Sequence, residues 1–236
     1  MEYYQRGLEV DVHDVDINGV ARASALMRYL QSAAQYQLTD NGMSYDMLKR
    51  KRRAFILSRI KIEFTQPIRA YEHLRAITFP CESRGYSFLR CYKLKRDGET
   101  VARAASIWAL IDTDTHSLVR VNDFDLGLDT YTPLDIAPGR IIMPAEMKEV
   151  GTYPVTYGII DQNRHMNNTA YPDMYASFLP MDGNRISSIS INYSNEAPMG
   201  DTLTVLSGKR DGIYCFKTLR SDGKINTEAE IELTKI

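Results

Sequence analysis

The sequence predicts an α+β fold in which one unit, a helix laid across an antiparallel sheet, occurs twice. Apolar residues recur at helical spacing over residues 26–38 and at every second position after residue 55, and the same order of patterns returns beyond residue 149. The 236 residues, of which 44% are hydrophobic, suffice for a large core. We therefore expect a first repeat over 1–112, a linker over 113–148 and a second repeat over 149–236.

The first helix is predicted from a stripe of apolar side chains. Ser24 is a candidate cap at its start, and Asn41-Gly42 is a stop signal at its end. The stripe consists of Leu26, Met27, Leu30, Ala33, Ala34 and Leu38.

Strands are predicted where the apolar period changes to two. Ile60, Ile62 and Phe64 should point inward, with Lys61 and Glu63 outward. Further strands are expected at 74–78, 86–94 and 101–111, the last two joined by a type I′ turn at residues 97–98, an Asp-Gly pair. Four consecutive strands indicate an antiparallel meander.

Fixed offsets relate the two halves. An offset of 145 takes Asp16 to Asp161, and an offset of 129 takes Ile60 to Ile189. An offset of 125 takes Trp108 to Leu233. Each half then reads as a strand, a long helix and a four-stranded meander, which is the hotdog unit, so the chain is predicted to be a double hotdog. The intervening linker, which contains three prolines and has no clear period, should pack on the surface.

Charge and composition exclude several classes of protein. The net charge of -1 gives no general reason for binding nucleic acid, and no apolar run is long enough for membrane insertion as a helix. The N-terminal residues lack the pattern of a signal or transit peptide, so we expect a bacterial cytoplasmic location. The three cysteines, an odd number without metal-binding spacing, should be reduced and structural.

The segment 159–171 concentrates the side chains able to do chemistry. Asp161, Asn163 and His165 occupy alternate positions after an apolar run, and a helix is expected from about residue 170 to 179. Its first free backbone N–H groups should face the ligand that His165 faces. These N–H groups could stabilise an oxyanion, and they are expected to come from Asn167, Asn168 and Thr169.

The duplication supplies an internal control for these residues. Asp161 and Asn163 have counterparts in Asp16 and Asn18, so turn geometry accounts in part for their presence. His165 stands opposite Val20, and under the other offset Glu196 stands opposite Pro67. Because both ionisable groups occur only in the second copy, we predict a single active site, which contains His165 and Glu196.

Three segments resemble the acyl-acyl carrier protein thioesterase family, the bacterial relatives of the plant plastid enzymes. They are Phe-Ile-Leu-Ser-Arg at 55–59, Ser-Ile-Trp-Ala at 106–109 and the Asp-x-Asn-x-His-x-Asn-Asn signature at 161–168. The resemblance implies hydrolysis of fatty acyl-acyl carrier protein, which releases a free fatty acid and ends chain elongation. It also implies catalytic roles for Asp161, Asn163, His165 and Glu196.

One position departs from the family pattern. Many members have Cys after the Glu, whereas this chain has Ala197, so a thiolate nucleophile is not available there. Glu196, expected to be partly buried, is then the candidate general base on water, with His165 sharing that role or polarising the water. We expect no cofactor and no metal, because the other histidines, His13, His73 and His116, have no ligand spacing to His165.

Two further sets of residues follow from the proposed chemistry. The acyl chain should enter an apolar tunnel of the first copy, lined by Leu26, Met27, Leu30, Ala34 and Trp108. The acidic carrier protein should dock on a basic run formed by Lys49, Arg50, Lys51, Arg52 and Arg53. For each tunnel residue an ordinary core position is the competing interpretation, and for the run it is a solvated charged face. A homodimer is possible.

Other functions stay open at this point. They are an acyl-coenzyme A thioesterase, a hotdog dehydratase acting on 3-hydroxyacyl thioesters, and a non-catalytic module that binds acyl thioesters. The Asn-x-His order favours hydrolysis over dehydration. Polar groups unique to one half argue against a mere binding module. Release of free thiol from acyl carrier protein and coenzyme A thioesters would separate these alternatives.

Overall fold

The structure, a computed structural model, describes residues 3–236. Its strands are β1 (Tyr4–Glu9), β2 (Arg53–Phe64), β3 (His73–Pro80), β4 (Phe88–Arg96), β5 (Glu99–Asp112), β6 (Leu118–Val119), β7 (Lys148–Pro154), β8 (Asn184–Tyr193), β9 (Thr202–Arg210), β10 (Ile213–Leu219) and β11 (Ile225–Lys235). Its α-helices are α1 (Ala23–Asp40), α2 (Tyr45–Arg50) and α3 (Tyr171–Ala176). Short 3₁₀ turns lie at Val12–Asp14, Val121–Asp123, Tyr157–Ile159 and Asn168–Ala170.

One antiparallel sheet runs through both halves. Its order is β1-β3-β4-β5-β2-β8-β11-β10-β9-β7, with β6 attached to β5, so the second half repeats the first outward from the central β2–β8 pair. Ile60 pairs with Ser106 in the first half, and Ile189 pairs with Ile231 in the second. These registers correspond to the offsets of 129 and 125, and the predicted double hotdog is confirmed.

The helix α1 packs its predicted stripe on the first half of the sheet. All six stripe residues are buried, and Asn41 and Gly42, the latter with φ +77°, end the helix as predicted. The predicted cap is wrong, because the helix begins after Arg22 without a side-chain cap and the buried Ser24 hydroxyl has no hydrogen-bond partner among the described residues. Ile60, Ile62 and Phe64 are buried as predicted.

The second copy lacks the long helix that was predicted for it. After a 3₁₀ turn at Asn168–Ala170, α3 spans six residues rather than residues 170–179. Pro172 confines the helix start to the first turn, and the Ser177 hydroxyl donates to the Asp173 carbonyl oxygen at 3.0 Å. Pro180 then disfavours a helical conformation at Leu179, so within residues 3–236 only the first repeat has a long helix.

The strand that opens each copy ends several residues before the Asp-x-Asn turn of that copy. β1 stops at Glu9 and β7 at Pro154, and the apolar residues before each signature instead form 3₁₀ turns. In the first copy the Asp11 carboxylate accepts from the His13 N–H and caps that turn. Ile159 and Ile160 therefore do not end a strand, and Ile160 makes only an isolated bridge with Met166.

The segment between the two copies covers the outer face of the first half. Ile136 packs with Cys81 and Cys91 against that face, and Tyr131 forms a bridge with Cys81. All three cysteines are free and buried, as predicted. No helix within residues 3–236 is long and apolar enough to cross a membrane.

Candidate active site

The loop before α3 brings His165 next to Glu196. The His165 backbone bridges Pro198, and the Met166 N–H donates to the Ala197 carbonyl oxygen at 2.8 Å. These backbone contacts leave His165 Nδ1 3.0 Å from Glu196 Oε2. The two groups that occur only in the second copy are thus in contact. The expected partial burial of Glu196 is wrong, because its side chain is 55% exposed and that of His165 is 33% exposed.

Asp161 holds the turn that carries His165. Its carboxylate accepts from the Asn163 N–H at 2.8 Å, and its own N–H donates to the His165 carbonyl oxygen. In the other copy, Asp16 accepts from the Asn18 N–H at 2.9 Å and its N–H donates to the Val20 carbonyl oxygen. Since the copy without His makes the same bonds, turn geometry is sufficient to explain Asp161.

Asn163 differs from its counterpart Asn18. Asn18 closes its turn onto the start of β8 and the loop before it, where it donates to the carbonyl oxygens of Met181 and Asn184. The corresponding part of the first copy is longer and contains α2. There, the Tyr45 hydroxyl donates to Asn163 Oδ1 at 3.2 Å. The extra residues therefore replace a closed turn with a cavity that Asn163 faces.

Only one of the three predicted oxyanion donors has a free backbone N–H. The Asn167 N–H donates to the Ile159 carbonyl oxygen, and the Thr169 N–H donates to Asn167 Oδ1 at 2.9 Å. Both are therefore excluded as donors to a ligand in this conformation. The Asn168 N–H has no acceptor among the described residues, and Asn168 lines the cavity beside His165.

Two tyrosines form hydrogen bonds beside the site. The Tyr171 hydroxyl accepts from Asn226 Nδ2 at 3.0 Å, and the Tyr193 hydroxyl donates to the Asn168 carbonyl oxygen at 2.9 Å. Burial raises the pKa of both phenols above the ordinary value, so both stay neutral near pH 7. Tyr193 thereby helps to fix the peptide that precedes Thr169.

A cavity of about 980 Å³ extends from His165 and Glu196 over the first half of the sheet. Of the predicted lining residues, Ala34 and Trp108 lie on its wall. Leu26, Met27 and Leu30 do not: they lie in the first half of α1 and belong to the core, and Leu26 also borders a second cavity of about 390 Å³. The larger cavity opens only under the second half of the helix.

Sequence reasoning missed several apolar wall residues. Leu38 was predicted as part of the α1 stripe but not as a lining residue, although it lies one turn beyond Ala34 on the same face. Phe88 and Leu57 lie on either side of Trp108 in the sheet, a contact that depends on strand register. The missed apolar wall residues include Leu38, Leu48, Phe55, Leu57 and Phe88.

Two models of one protein family match the chain along most of its length. The acyl-ACP thioesterase N-terminal domain matches residues 1–125, and the acyl-ACP thioesterase C-terminal domain matches residues 143–235. The chain belongs to the acyl-ACP thioesterase family. The resemblance seen in the sequence is therefore confirmed.

Individual relatives are distant in sequence and close in fold. An Arabidopsis thaliana chloroplastic oleoyl-acyl carrier protein thioesterase is 24% identical over 86% of this chain and 62% of the relative, so the chain spans about 62% of that protein's length. An acyl-ACP thioesterase from Bacteroides thetaiotaomicron has a TM-score of 0.89 at 21% identity, covering 98% of this chain and 97% of the other. A 12:0-ACP thioesterase from Umbellularia californica has a TM-score of 0.85 at 16% identity, covering 99% and 97%.

The basic run lies at the rim of the cavity in this member of the acyl-ACP thioesterase family. Lys49, Arg50 and Lys51 are exposed at the end of α2, whose residues Tyr45 and Leu48 line the cavity. The other two cations are already paired with carboxylates. Arg52 pairs with Asp114, and the half-buried Arg53 is 2.5 Å from Asp112.

No cluster of three or more His, Cys, Asp or Glu side chains suited to a metal ion occurs within residues 3–236. Ala197, which follows Glu196 in the chain, is fully buried. Cys81 lines the far part of the cavity, on the first half of the sheet.

Proposed function

We propose that this protein hydrolyses the thioester of fatty acyl-acyl carrier protein, releasing free fatty acid and ending chain elongation. The observation that carries the proposal is the contact of 3.0 Å between His165 and Glu196 at one end of an apolar-walled cavity. A cavity of about 980 Å³ lies at the upper end of the range for ligand pockets. It has room for an acyl chain.

The pair provides a route for the proton in hydrolysis. The approach of Glu196 Oε2 to within 3.0 Å of His165 Nδ1 favours the tautomer that carries its proton on Nδ1, so Nε2 takes a proton from water. The water oxygen attacks the carbonyl carbon, and the tetrahedral intermediate collapses with cleavage of the C–S bond. His165 then returns the proton to the leaving sulfur. This assigns the base to His165 and the orienting role to Glu196, whereas the sequence favoured Glu196 as the base, with His165 sharing that role or polarising the water.

Stabilisation of the oxyanion is assigned to the Asn168 N–H, with Asn163 orienting the carbonyl or the water. A preorganised donor at this position contributes about 3 to 4 kcal/mol to transition-state stabilisation in comparable sites. Asp161 acts through the turn that positions Asn163 and His165. The single free N–H is consistent with the short 3₁₀ turn, which directs few backbone donors toward the cavity.

The carrier is proposed to be acyl carrier protein, an acidic partner. Lys49, Arg50 and Lys51 form an exposed basic surface beside the cavity entrance, with no acidic partner among the described residues. This surface, called here the α2 basic patch, would attract an acidic carrier during encounter. Coenzyme A remains the alternative carrier. The bacterial cytoplasmic location and the homodimer remain predictions from the sequence.

The decisive experiment measures free-thiol release from acyl carrier protein thioesters. We expect His165→Ala and Glu196→Ala each to lower kcat at least about a hundredfold, the lower end of the effect of general-base catalysis. Circular dichroism should show both variants to be folded. The matched control is Val20→Ala at the position equivalent to His165, and it should keep turnover within a few-fold.

Two results would refute the assignment. Equal sensitivity of Val20 and His165 would contradict a single active half. Consumption of 3-hydroxyacyl thioester without thiol release would instead indicate a dehydratase. Comparison of coenzyme A and carrier-borne substrates at equal acyl length identifies the carrier.

A further inference from the structure

A buried arginine lies on the wall of the cavity, away from the catalytic pair. Arg90 is 7% exposed, projects from β4 on the face that packs against α1, and lines the same cavity as His165. Three strand spacings, β4 to β5 to β2 to β8, separate its strand from the one that leads to Glu196. At the usual strand separation this is about 14 Å. If the cavity bound only hydrocarbon, a buried guanidinium at that position would be costly.

The Arg90 cation has no anionic partner. One nitrogen, Nη1, donates to Gln37 Oε1 at 2.5 Å and to Thr78 Oγ1 at 3.0 Å. Both acceptors are neutral, and no ion pair within residues 3–236 includes Arg90. Burial lowers its pKa, as expected for a cation removed from water without a carboxylate. Such a group is costly unless something else satisfies it.

Further polar groups lie near Arg90. Its cross-strand neighbour Ser106 accepts from the Trp108 indole N–H at 2.7 Å and lies 3.0 Å from the Tyr92 hydroxyl. On the helix side, Gln31 also lines the cavity, and its Nε2 is a buried donor without a partner in the described part of the chain. Two donor groups on one cavity, one of them charged, match a ligand that brings hydrogen-bond acceptors.

We infer that Arg90 forms a subsite for an oxygen function at the distal end of the acyl chain: a hydroxyl, oxo or carboxylate group. The inference rests on the proposed hydrolysis of acyl thioesters and adds the chemical class of the acyl chain. The thioester binds at His165, the hydrocarbon crosses the apolar part of the wall, and the distal oxygen accepts from the guanidinium. An unsubstituted chain of equal length would cover Arg90 with hydrocarbon and would bind less well.

The test compares three carrier-borne thioesters of equal length: unsubstituted, ω-hydroxy and ω-carboxy. We expect wild-type kcat/KM to be higher for at least one oxygenated chain than for the unsubstituted chain. Arg90→Met should reduce that ratio by at least about tenfold, the lower end for loss of a hydrogen bond to a charged group. The ω-hydroxy and ω-carboxy arms show whether the subsite takes a neutral or an anionic group.

Lys93→Met is the matched control, since it removes a cation from the opposite face of the same strand and should leave the ratio unchanged. An equal loss on all three substrates in Arg90→Met would mean that Arg90 only ties α1 to the sheet. A wild-type preference of tenfold or more for the unsubstituted chain would overturn the subsite even if the variant failed to fold. The free acids are also tested by thermal shift of the wild type. If no thioester is hydrolysed, stronger thermal stabilisation by the oxygenated acids than by the unsubstituted acid would support the subsite and refute hydrolysis. Equal or weaker stabilisation by the oxygenated acids would then refute both the subsite and hydrolysis.

Discussion

At the scale of single residues, asparagine at equivalent positions of the two copies makes different contacts. Asn18 bonds backbone carbonyl groups and closes its half, whereas Asn163 faces the cavity and bonds Tyr45. The sequence places both asparagines in identical turns, and their different partners follow from the residues inserted before β2. We therefore propose that Tyr45 positions Asn163, a role that the sequence did not indicate.

We expect Tyr45→Phe to lower kcat/KM roughly 3- to 10-fold, because one neutral hydrogen bond contributes about 0.5–1.5 kcal/mol. The melting temperature should not change, since Tyr45 is exposed. Steady-state kinetics on one acyl thioester measures the effect. Tyr36→Phe, another exposed tyrosine, is the control. Unchanged kinetics in Tyr45→Phe would show that the Tyr45 hydroxyl does not position Asn163.

At the scale of elements, the two halves of α1 do different work. Residues up to Leu30 pack on the core, and residues from Gln31 onward border the cavity. Ala34→Phe should fill part of the cavity and raise KM most for the longest acyl chains. Met27→Ala should instead cost about 2–5 kcal/mol of unfolding free energy and leave the order of chain-length preference unchanged. A chain-length series and urea unfolding distinguish the two effects.

The result that would contradict this division is a change of chain-length preference in Met27→Ala. Because Met27 is fully buried and its loss destabilises the protein, the chain-length preference of that variant is measured at a temperature where it stays folded.

The α2 basic patch also acts as an element. Reversing Lys49, Arg50 and Lys51 to Glu should raise KM for carrier-borne substrates, most at low ionic strength, because salt screens exposed charges over about 10 Å at 0.1 M. The value of kcat should stay nearly unchanged, as should KM for a minimal thioester without the protein carrier. Reversal of Lys148 and Lys235, both exposed on other elements, is the control. Equal losses on both substrates would indicate damage to the cavity instead.

At the scale of the whole molecule, the two copies share one sheet and one core. Ile62 faces Ile189 across the central β2–β8 pair, and a single hydrophobic core includes residues of both halves. We expect Ile62→Ala and Ile189→Ala each to cost about 2–5 kcal/mol and the double variant to be non-additive, because the residues are neighbours. Equilibrium unfolding should show one transition. Two separated transitions would mean that each repeat folds alone.

Local patterns in the sequence determined the repeats, the buried faces of α1 and the strands, the Asp97-Gly98 turn and the pairing of His165 with Glu196. They did so because period, turn chemistry and asymmetry between copies are properties of short segments or of their comparison. The type I′ turn, for example, has φ of +51° and +86° at those two residues.

The tertiary structure decided the rest. Whether a buried residue of α1 meets the core or a cavity depends on the opposite wall, so Met27 and Ala34 have the same pattern and different surroundings. The short α3, the single free N–H at Asn168 and the unpaired Arg90 likewise result from contacts between segments distant in sequence.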